Sequence, residues 1–290
     1  MVIQKIFVIG AGQMGGGIAQ AALMGGYQVV LRDMTDDIVN HAIDNIIKNL
    51  RKMEAKGNIT AQEVEKMIGN LGGTISLEDA ADADLVIEAA VENIAIKSEI
   101  FRELDNIIKP EAILATNTSS LSITEIAAAS KTPERVVGMH FFNPAARMKL
   151  LEITKGYLTS QRALDTALAV GERMGKVTIV ALDKPGFIVN RMIDLMLNEA
   201  ICLVEEGVGT PEDIDKGMKF GCNHPMGPLE LTDLIGLDVL LAVMEVFYRE
   251  YGDTKYRPAP LLRKMVRAGK LGRKSGEGFY KYEKQVEKKP

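Results

Sequence analysis

The sequence predicts an α/β protein in which a doubly wound parallel sheet, interrupted by an inserted helical hairpin, is followed by an all-α C-terminal domain. Three features support this fold class. Apolar runs such as "KIFVIG", "ADLVIEAA" and "AILATN" alternate with helical patterns, as expected for parallel strands covered by helices on both faces. A glycine-rich turn follows the first of these runs, and helical periodicity alone follows "DKPG" at residues 183–186.

The first elements of the sheet can be assigned in chain order from the hydrophobic pattern. Residues Ile6–Ile9 form a β-rich run before the glycine turn, and Tyr27–Leu31 form a second strand after a helix of small residues. About fifty residues separate this strand from "ADLVIEAA", which is more than a simple crossover needs. We therefore predict a helical hairpin in this interval, with helices over Asp36–Lys56 and Ala61–Leu71 and a break at Gly57-Asn58.

The rest of the chain completes the sheet and then becomes helical. A helix is predicted over Lys97–Ile108, and strands are predicted in "AILATN", "RVVGMHFF" and "KVTIVAL". Glycine and proline in "DKPG" end the β pattern. The helices predicted beyond that point are Val189–Glu206, Pro211–Lys219, Pro228–Tyr251 and Pro260–Ala268. We therefore predict two domains, covering residues 1–184 and 185–290.

Composition and charge limit the class of protein. The chain has 290 residues, 47% of them hydrophobic, as in globular proteins with a sizeable core. Its formal net charge of -4 provides no general attraction to nucleic acids or membrane surfaces. Its two cysteines, Cys202 and Cys222, have neither zinc-site nor disulfide-framework spacing. With no signal-peptide pattern and no bilayer-spanning apolar run, we expect a cytoplasmic enzyme whose last residues, "EKQVEKKP", form a frayed tail.

The turn after the first strand has the spacing of a dinucleotide-binding site. Gly10, Gly12 and Gly15 form GxGxxG between a strand and a helix, allowing a tight turn, approach of a pyrophosphate and close helix–strand packing. The helix N-terminus offers free N–H groups to phosphates. Asp33, at the end of the second strand, can accept hydrogen bonds from a ribose 2′-hydroxyl and would repel a 2′-phosphate. We therefore predict NAD rather than NADP, with Arg32 turned to the other face of its strand; a glycine-rich turn without ligand is the alternative.

His140 is the candidate acid/base group among only three histidines. His41 lies in the predicted hairpin and His224 precedes a proline in a turn, whereas His140 comes at the end of an apolar strand, where ligands of open parallel sheets gather. A chain that folds back through Asn143-Pro144 could bring Glu152 alongside His140. A carboxylate in that position fixes the imidazole tautomer and stabilises the imidazolium. On spacing alone, the preferred alternative is a core histidine with its hydrogen bonds satisfied elsewhere and Glu152 in an unrelated ion pair.

Two further polar groups favour the catalytic interpretation. Ser119 lies in "NTSS" (residues 117–120) after another strand, and Asn190 lies in "FIVNR", just after the predicted domain boundary. Ser and Asn side chains at such points can donate hydrogen bonds to a carbonyl or alkoxide oxygen, as hydride transfer requires. Together with the glycine turn, they indicate a proton-handling pair that faces a nicotinamide.

Seven stretches carry a family resemblance, in order, from end to end of the chain. They are "VIGAGQMGGGIAQ", "EAAVENIAIK", "ATNTSSLSIT", "GMHFFNPAARMKLLEI", "DKPGFIVNR", "HPMGPLELTDLIGLD" and "GRKSGEGFYKY". By these stretches the chain resembles the L-3-hydroxyacyl-CoA dehydrogenase family, most of all its bacterial 3-hydroxybutyryl-CoA members. The resemblance implies a Rossmann-type NAD-binding domain and interconversion of (S)-3-hydroxyacyl-CoA and 3-ketoacyl-CoA. No enoyl-CoA hydratase stretch is present, so the large fused β-oxidation enzyme is not expected.

The resemblance also implies roles for individual residues. His140 is the catalytic acid/base and Glu152 its orienting partner. Ser119 and Asn190 hold the C3 oxygen of the substrate. The residues implied for the cofactor are Gly10, Gly12, Gln13, Met14, Gly15, Asp33, Glu92, Lys97, Asn117, Asn143 and Lys274. No metal is implied.

The predicted hairpin carries residues expected to contact the CoA part of the substrate. Lys48, Lys52 and Lys56 share one helix face and could meet phosphates in a chain of negative net charge. A solvated helix face is the alternative, which we prefer for Lys48. The family has a serine and a lysine on this hairpin: Lys56 matches the lysine, and Asn49 stands at the position of the serine. We therefore predict Asn49, Lys52 and Lys56, together with Ser119, as substrate-binding residues.

Two other functions share features with this sequence. A β-hydroxyacid dehydrogenase of the 6-phosphogluconate type would use a catalytic lysine, for which Lys184 is the candidate, and would give His140 no role. A structural or NAD-sensing relative without turnover would not require the polar residues of the predicted site. The helical domain contains apolar segments such as "LTDLIGLDVLLAVMEVF", so we predict a homodimer or a larger homo-oligomer.

Overall fold

The computed structural model describes residues 3–282, so the polar tail at 283–290 lies outside the described residues. The chain divides into two compact units, Met1–Lys184 and Pro185–Pro290. The first is built on a sheet and the second on helices, and each has a hydrophobic core of its own.

The strands of the described residues form one sheet in the first unit. In chain order they are β1 (Lys5–Ile9), β2 (Gln28–Arg32), β3 (Leu71–Thr74), β4 (Leu85–Glu88), β5 (Ile113–Thr116), β6 (Val136–Phe141), β7 (Leu150–Lys155) and β8 (Val177–Leu182). Their order across the sheet is β3-β2-β1-β4-β5-β6-β7-β8, and the first six follow a Rossmann-type order. β1 to β6 are parallel, β7 is antiparallel to β6, and β8 is parallel to β7. The predicted fold class is confirmed.

Helices cover the sheet and account for its apolar strands. Those of the first unit are α1 (Gln13–Met24), α2 (Asp36–Ala55), α3 (Ala61–Gly69), α4 (Ile94–Leu104), α5 (Ile123–Ala127) and α6 (Gln161–Arg173). α4 begins at Ile94 rather than at the predicted Lys97, because Asn93 caps it by accepting backbone N–H groups. Every residue of β4, β5 and β6 is buried. Since β1, β4, β5 and β6 are parallel, the polar residues that follow them gather at one edge of the sheet.

The predicted helical hairpin lies between β2 and β3 and consists of α2 and α3. Thr35 caps α2, and Thr60 forms a capping box with Glu63 at the start of α3. Leu50 and Val64 are fully buried and join the core of the sheet. The hairpin is therefore part of the packed first unit.

The short strand β3 was not predicted. The helix expected to reach Leu71 ends at Gly69, and Leu71 begins β3 instead. Gly72 and Gly73 are poor helix formers, and this segment gains its backbone partners by pairing with β2. The strand therefore depends on a tertiary contact rather than on local propensity.

The second unit consists of helices around its own apolar core. They are α7 (Val189–Glu205), α8 (Pro211–Lys216), α9 (Pro228–Ile235), α10 (Leu237–Tyr251) and α11 (Pro260–Arg267). The single helix predicted over Pro228–Tyr251 is wrong, because Gly236, with a φ of +106°, interrupts it. Leu240 and Phe247 of α10 belong to the core. Across residues 3–282, no helix combines the length and the apolar character that crossing a membrane needs.

Candidate active site

The glycine turn between β1 and α1 leaves space for a ligand at one of its three glycines. Gly10 has a φ of +95°, and a Cβ there would lie 2.5 Å from a carbonyl oxygen of the loop after β4. A Cβ on Gly15 would lie 1.6 Å from the carbonyl oxygen of Gly10, so the fold itself requires both glycines. A Cβ on Gly12, by contrast, would meet no heavy atom of the described chain within 4 Å. With Gln13 and Met14 opening α1 directly after it, the turn fits the pyrophosphate of a dinucleotide.

Substituting Gly12 with alanine tests whether the cofactor uses this space. Gly12 has a φ of -69° and a ψ of -169°, which alanine can adopt, so the free energy of unfolding should change by less than about 1 kcal/mol. The dissociation constant for NADH, measured by fluorescence titration, should rise at least about 10-fold, because the added methyl group occupies the space of the pyrophosphate. Unchanged NADH affinity would show that the pyrophosphate does not approach Gly12.

Asp33 connects the end of β2 to the glycine turn. Its Oδ2 accepts a hydrogen bond from the N–H of Ala11 at 2.6 Å, and its Oδ1 accepts one from the N–H of Met34 at 2.7 Å. Each carboxylate oxygen has a second lone pair that can accept from a ribose hydroxyl. The Nε of Arg32 donates instead to the carbonyl oxygen of Ile75 at 3.2 Å. The two bonds fix the Asp33 carboxylate at the glycine turn, and its contact with NAD remains a prediction.

A network of hydrogen bonds surrounds Glu92, where β4 and β5 end. Its Oε1 accepts from the hydroxyls of Thr118, Ser119 and Ser120 at 2.6, 3.2 and 3.1 Å, and also from two backbone N–H groups. Burial acts to raise the pKa of Glu92, but the Lys97 ammonium and these hydrogen bonds outweigh it and lower the pKa below its ordinary value. Glu92 is therefore ionised at neutral pH and fixes the position of Ser119.

Glu88, the last residue of β4, is a site residue that the sequence prediction missed. It is fully buried, and its Oε1 lies 2.7 Å from the Nζ of Lys97. Its Oε2 accepts from the hydroxyl of Thr116 at 2.7 Å. Lys97 is itself 1% exposed, and its Nζ lies 3.5 Å from Glu92. Its charge therefore reaches the site by acting on the carboxylate of Glu92. The sequence signal that could have identified Glu88 is a carboxylate at the end of an apolar strand.

His140 and Glu152 are directly opposite residues of the antiparallel pair β6–β7. The Nδ1 of His140 lies 2.8 Å from the Oε2 of Glu152, and the two residues are 5% and 0% exposed. The ring of Phe142 packs on the imidazole with centroids 4.5 Å apart. A carboxylate at Nδ1 favours the tautomer that is protonated there, so that Nε2 is the nitrogen able to exchange a proton with a ligand. The predicted contact is present, and its catalytic role remains a prediction.

The two predicted asparagines lie in the loops after β5 and β6. The Oδ1 of Asn117 accepts from the N–H of Phe141 at 2.9 Å, so this side chain ties the end of β5 to the end of β6. Asn143 is exposed and precedes Pro144 through a cis peptide bond. Cofactor contacts of both asparagines remain predictions, and Asn117 has a structural use as well.

A cavity of about 1200 Å³ adjoins the glycine turn in the first unit. Its wall is formed by the turn and α1, by α2, and by the loop after β6. The predicted substrate-binding residues Asn49, Lys52 and Lys56 line this cavity together with Gln13, whereas Lys48 is not among its lining residues. The hairpin therefore presents three of the predicted residues to one space that is large enough for a nucleotide.

The second unit carries the two remaining predicted residues. Asn190 is the second residue of α7 and is half-buried. Lys274 lies in a 3₁₀ turn, and its Nζ lies 2.6 Å from the Oδ2 of Asp238 near the start of α10. This ion pair holds the Lys274 side chain within its own unit. The roles of both residues toward substrate and cofactor remain predictions.

Comparisons with known proteins agree across both units. The family model "3-hydroxyacyl-CoA dehydrogenase, NAD binding domain" matches residues 5–184, and the C-terminal domain model of the same name matches residues 186–282. A probable 3-hydroxybutyryl-CoA dehydrogenase of Deinococcus radiodurans is 52% identical, over 96% of this chain and 100% of the relative. A 3-hydroxybutyryl-CoA dehydrogenase of Clostridioides difficile is 48% identical, over 97% of this chain and 100% of the relative. The crystal structure of (S)-3-hydroxybutyryl-CoA dehydrogenase from Ralstonia eutropha is 45% identical with a TM-score of 0.96, covering 98% of this chain and 100% of that one.

Proposed function

Because the chain belongs to the 3-hydroxyacyl-CoA dehydrogenase family, we propose that it interconverts (S)-3-hydroxybutyryl-CoA and acetoacetyl-CoA with His140 as acid/base group. It is an NAD-dependent oxidoreductase. Support for the short acyl chain comes from the names of the relatives that are 52% and 48% identical to it. Support for the proton transfer comes from the geometry of the first unit.

The buried contact between His140 and Glu152 is the observation that carries the proton-transfer proposal. With Nδ1 bonded to Glu152, Nε2 takes the hydroxyl proton of the substrate during oxidation and returns a proton to the oxygen during reduction. The ring gains positive charge as it takes the proton. The adjacent carboxylate of Glu152 stabilises that charge in a site with little exposure to solvent.

Ser119 is proposed to contact the C3 oxygen of the substrate. Bound NAD would supply the acceptor for the hydride of C3. In the structure the Ser119 hydroxyl donates to Glu92, whereas the proposed contact has it donate to the C3 oxygen, because the one proton of a substrate hydroxyl goes to His140. To donate to a ketone, the hydroxyl must turn away from Glu92. Glu92 then keeps four other donors from residues 118–120, so this rotation leaves no unpaired carboxylate oxygen.

An assay of NADH oxidation with acetoacetyl-CoA tests the proposed function. We expect turnover with acetoacetyl-CoA and, in the reverse direction, with the S but not the R form of 3-hydroxybutyryl-CoA. Values of kcat/KM across 3-ketoacyl-CoA substrates of increasing length should be highest for the shortest. Tight NADH binding without turnover would contradict the proposal and favour the non-catalytic alternative.

The 6-phosphogluconate type of reaction is the alternative within the oxidoreductases. Its candidate lysine, Lys184, is exposed at the last position of the first unit, whereas His140 and Glu152 are buried together. Turnover of a β-hydroxyacid without CoA, lost on substitution of Lys184, would favour this alternative.

We also propose self-association through the second unit. Phe220, Leu234 and Val239 are 84%, 49% and 44% exposed, and association through these side chains would remove their apolar surface from water. Sedimentation equilibrium should therefore give a mass of at least two chains. A single-chain mass at micromolar concentration would contradict self-association.

A further inference from the structure

Arg147 lines the same cavity as Lys52 and Lys56 but comes from a different element. The lysines lie on α2, whereas Arg147 lies in the loop between β6 and β7. Among residues 3–282, none of the three forms an ion pair, although the neighbouring Arg51 is paired with two glutamates. Three unpaired cations therefore share one cavity in a chain whose net charge is -4.

The loop that carries Arg147 is fixed by contacts with the protein. The Nζ of Lys176, a residue that is 8% exposed, donates to the carbonyl oxygens of Ala145 and Met148 at 2.6 and 2.7 Å. α1 also approaches the loop so closely that a Cβ on Gly17 would lie 3.1 Å from the Cβ of Ala145. The backbone at Arg147 is thus positioned in advance, which reduces the entropy cost of binding a ligand there.

Contacts through α1 relate this loop to the part of α2 that carries the lysines. Gln20 lies one helical turn after Gly17, and its Oε1 accepts from the Nδ2 of Asn49 at 3.3 Å. The Nε2 of Gln20 lies 3.9 Å from the sulfur of Met53. Asn49 and Met53 flank Lys52 on α2. The loop therefore contacts α1 at Gly17, and the part of α2 around Lys52 contacts α1 one turn later, at Gln20.

The charge on the wall differs between the two ends of α2. The one acidic side chain among the described lining residues is Asp37, in the first turn of the helix. It precedes Lys52 by about four turns, roughly 22 Å along the axis, which exceeds the screening length of about 8 Å at physiological salt. The end of the cavity at Lys52 and Lys56 is therefore positive.

We propose that Arg147 is a third cationic contact, beside Lys52 and Lys56, for the phosphate groups in the nucleotide part of the acyl-CoA substrate. The proposal rests on the proposed function and extends it to one further specificity-determining residue. CoA carries a pyrophosphate and a 3′-phosphate, which together bear more negative charge than two lysines neutralise. A guanidinium can bind a phosphate through two parallel hydrogen bonds, and Arg147 shares its cavity with Lys52 and Lys56, the two lysines already predicted to contact the CoA part of the substrate.

Arg147→Gln, with Lys149→Gln as its matched control, tests the proposal. Lys149 is exposed on the same loop and is not among the lining residues. For R147Q, both the KM for acetoacetyl-CoA and the Kd for free CoA by calorimetry should rise about 10-fold. The KM for acetoacetyl-pantetheine, which lacks the nucleotide, should equal that of the wild type, and kcat should change less than about twofold. K149Q should match the wild type throughout.

Two results would overturn the role of Arg147 while leaving the proposed function in place. One is an unchanged Kd for CoA in R147Q, and the other is a higher Kd for NADH in place of the higher Kd for CoA. A wild-type protein that oxidises no NADH with acetoacetyl-CoA would refute the proposed function instead. Calorimetry with free CoA would still decide on Arg147 in that case, because it does not depend on turnover.

Discussion

Replacing His140 with glutamine should lower kcat for acetoacetyl-CoA reduction by about 10²- to 10⁴-fold, the usual contribution of general acid–base catalysis. Glutamine cannot exchange a proton at the working pH. Its amide can still donate to Glu152, so the buried carboxylate is not left without a partner. The Kd for NADH should stay within about twofold of the wild-type value, because the glycine turn and Asp33 are unchanged.

His224→Gln is the matched control for this substitution. His224 is half-buried in the second unit and has no place in the proposed chemistry, so its kcat should equal that of the wild type. A kcat for H140Q close to the wild-type value would contradict the acid/base assignment of His140.

The largest effect on stability is expected for Lys97→Met. The Glu88 and Lys97 side chains are 0% and 1% exposed and lie 2.7 Å apart. Removing the ammonium leaves the Glu88 carboxylate buried without its counter-charge, so the free energy of unfolding should fall by about 3–5 kcal/mol. Urea unfolding monitored by circular dichroism measures this change. NADH affinity should fall as well, because the Lys97 ammonium also lies 3.5 Å from Glu92.

The same helix provides a control for the burial of this ion pair. Arg102 of α4 is paired with Glu99, and both side chains are more than half exposed, so Arg102→Met should cost about 0–1 kcal/mol. The double variant E88Q/K97M should be more stable than K97M, because it removes the isolated charge. A loss for K97M no larger than that for R102M would contradict the importance of the buried pair.

The glycine turn could be predicted because each of its glycines meets a local requirement. Gly10 needs a positive φ and Gly15 has no room for a Cβ, and both requirements follow from a strand that turns sharply into a helix. Asp33 ends the next strand along, and parallel pairing of β1 with β2 brings it to the turn. These features depend on neighbours in sequence or on adjacent strands, so sequence patterns reveal them.

The contact between His140 and Glu152 could be suggested but not established from spacing. It depends on the register of β6 and β7, which places the two residues directly opposite each other. A slip of one residue would turn one of the side chains to the other face of the sheet. Core packing sets that register, and the sequence alone does not state it.

Glu88 and Arg147 could not be assigned because their roles depend on distant partners. Glu88 reads as the polar end of an apolar strand, and only the fold shows that Lys97 reaches it inside the protein. In the sequence, Arg147 has only the features of a loop residue. The structure shows that it lines a cavity whose other walls are α1 and α2, about a hundred residues earlier in the chain. The break at Gly236 could not be predicted for a different reason, since glycine is tolerated within many helices.

A double-mutant cycle on kcat tests most directly the claim that His140 and Glu152 act as one proton-handling unit. In the wild-type background, Glu152→Gln should lower kcat by at least about 10-fold, because the imidazole loses the carboxylate that orients it and stabilises its charge. In the H140Q background, the same substitution should change kcat by less than about threefold, because no imidazole remains to be oriented. The same fold-loss from E152Q in both backgrounds would contradict the paired mechanism.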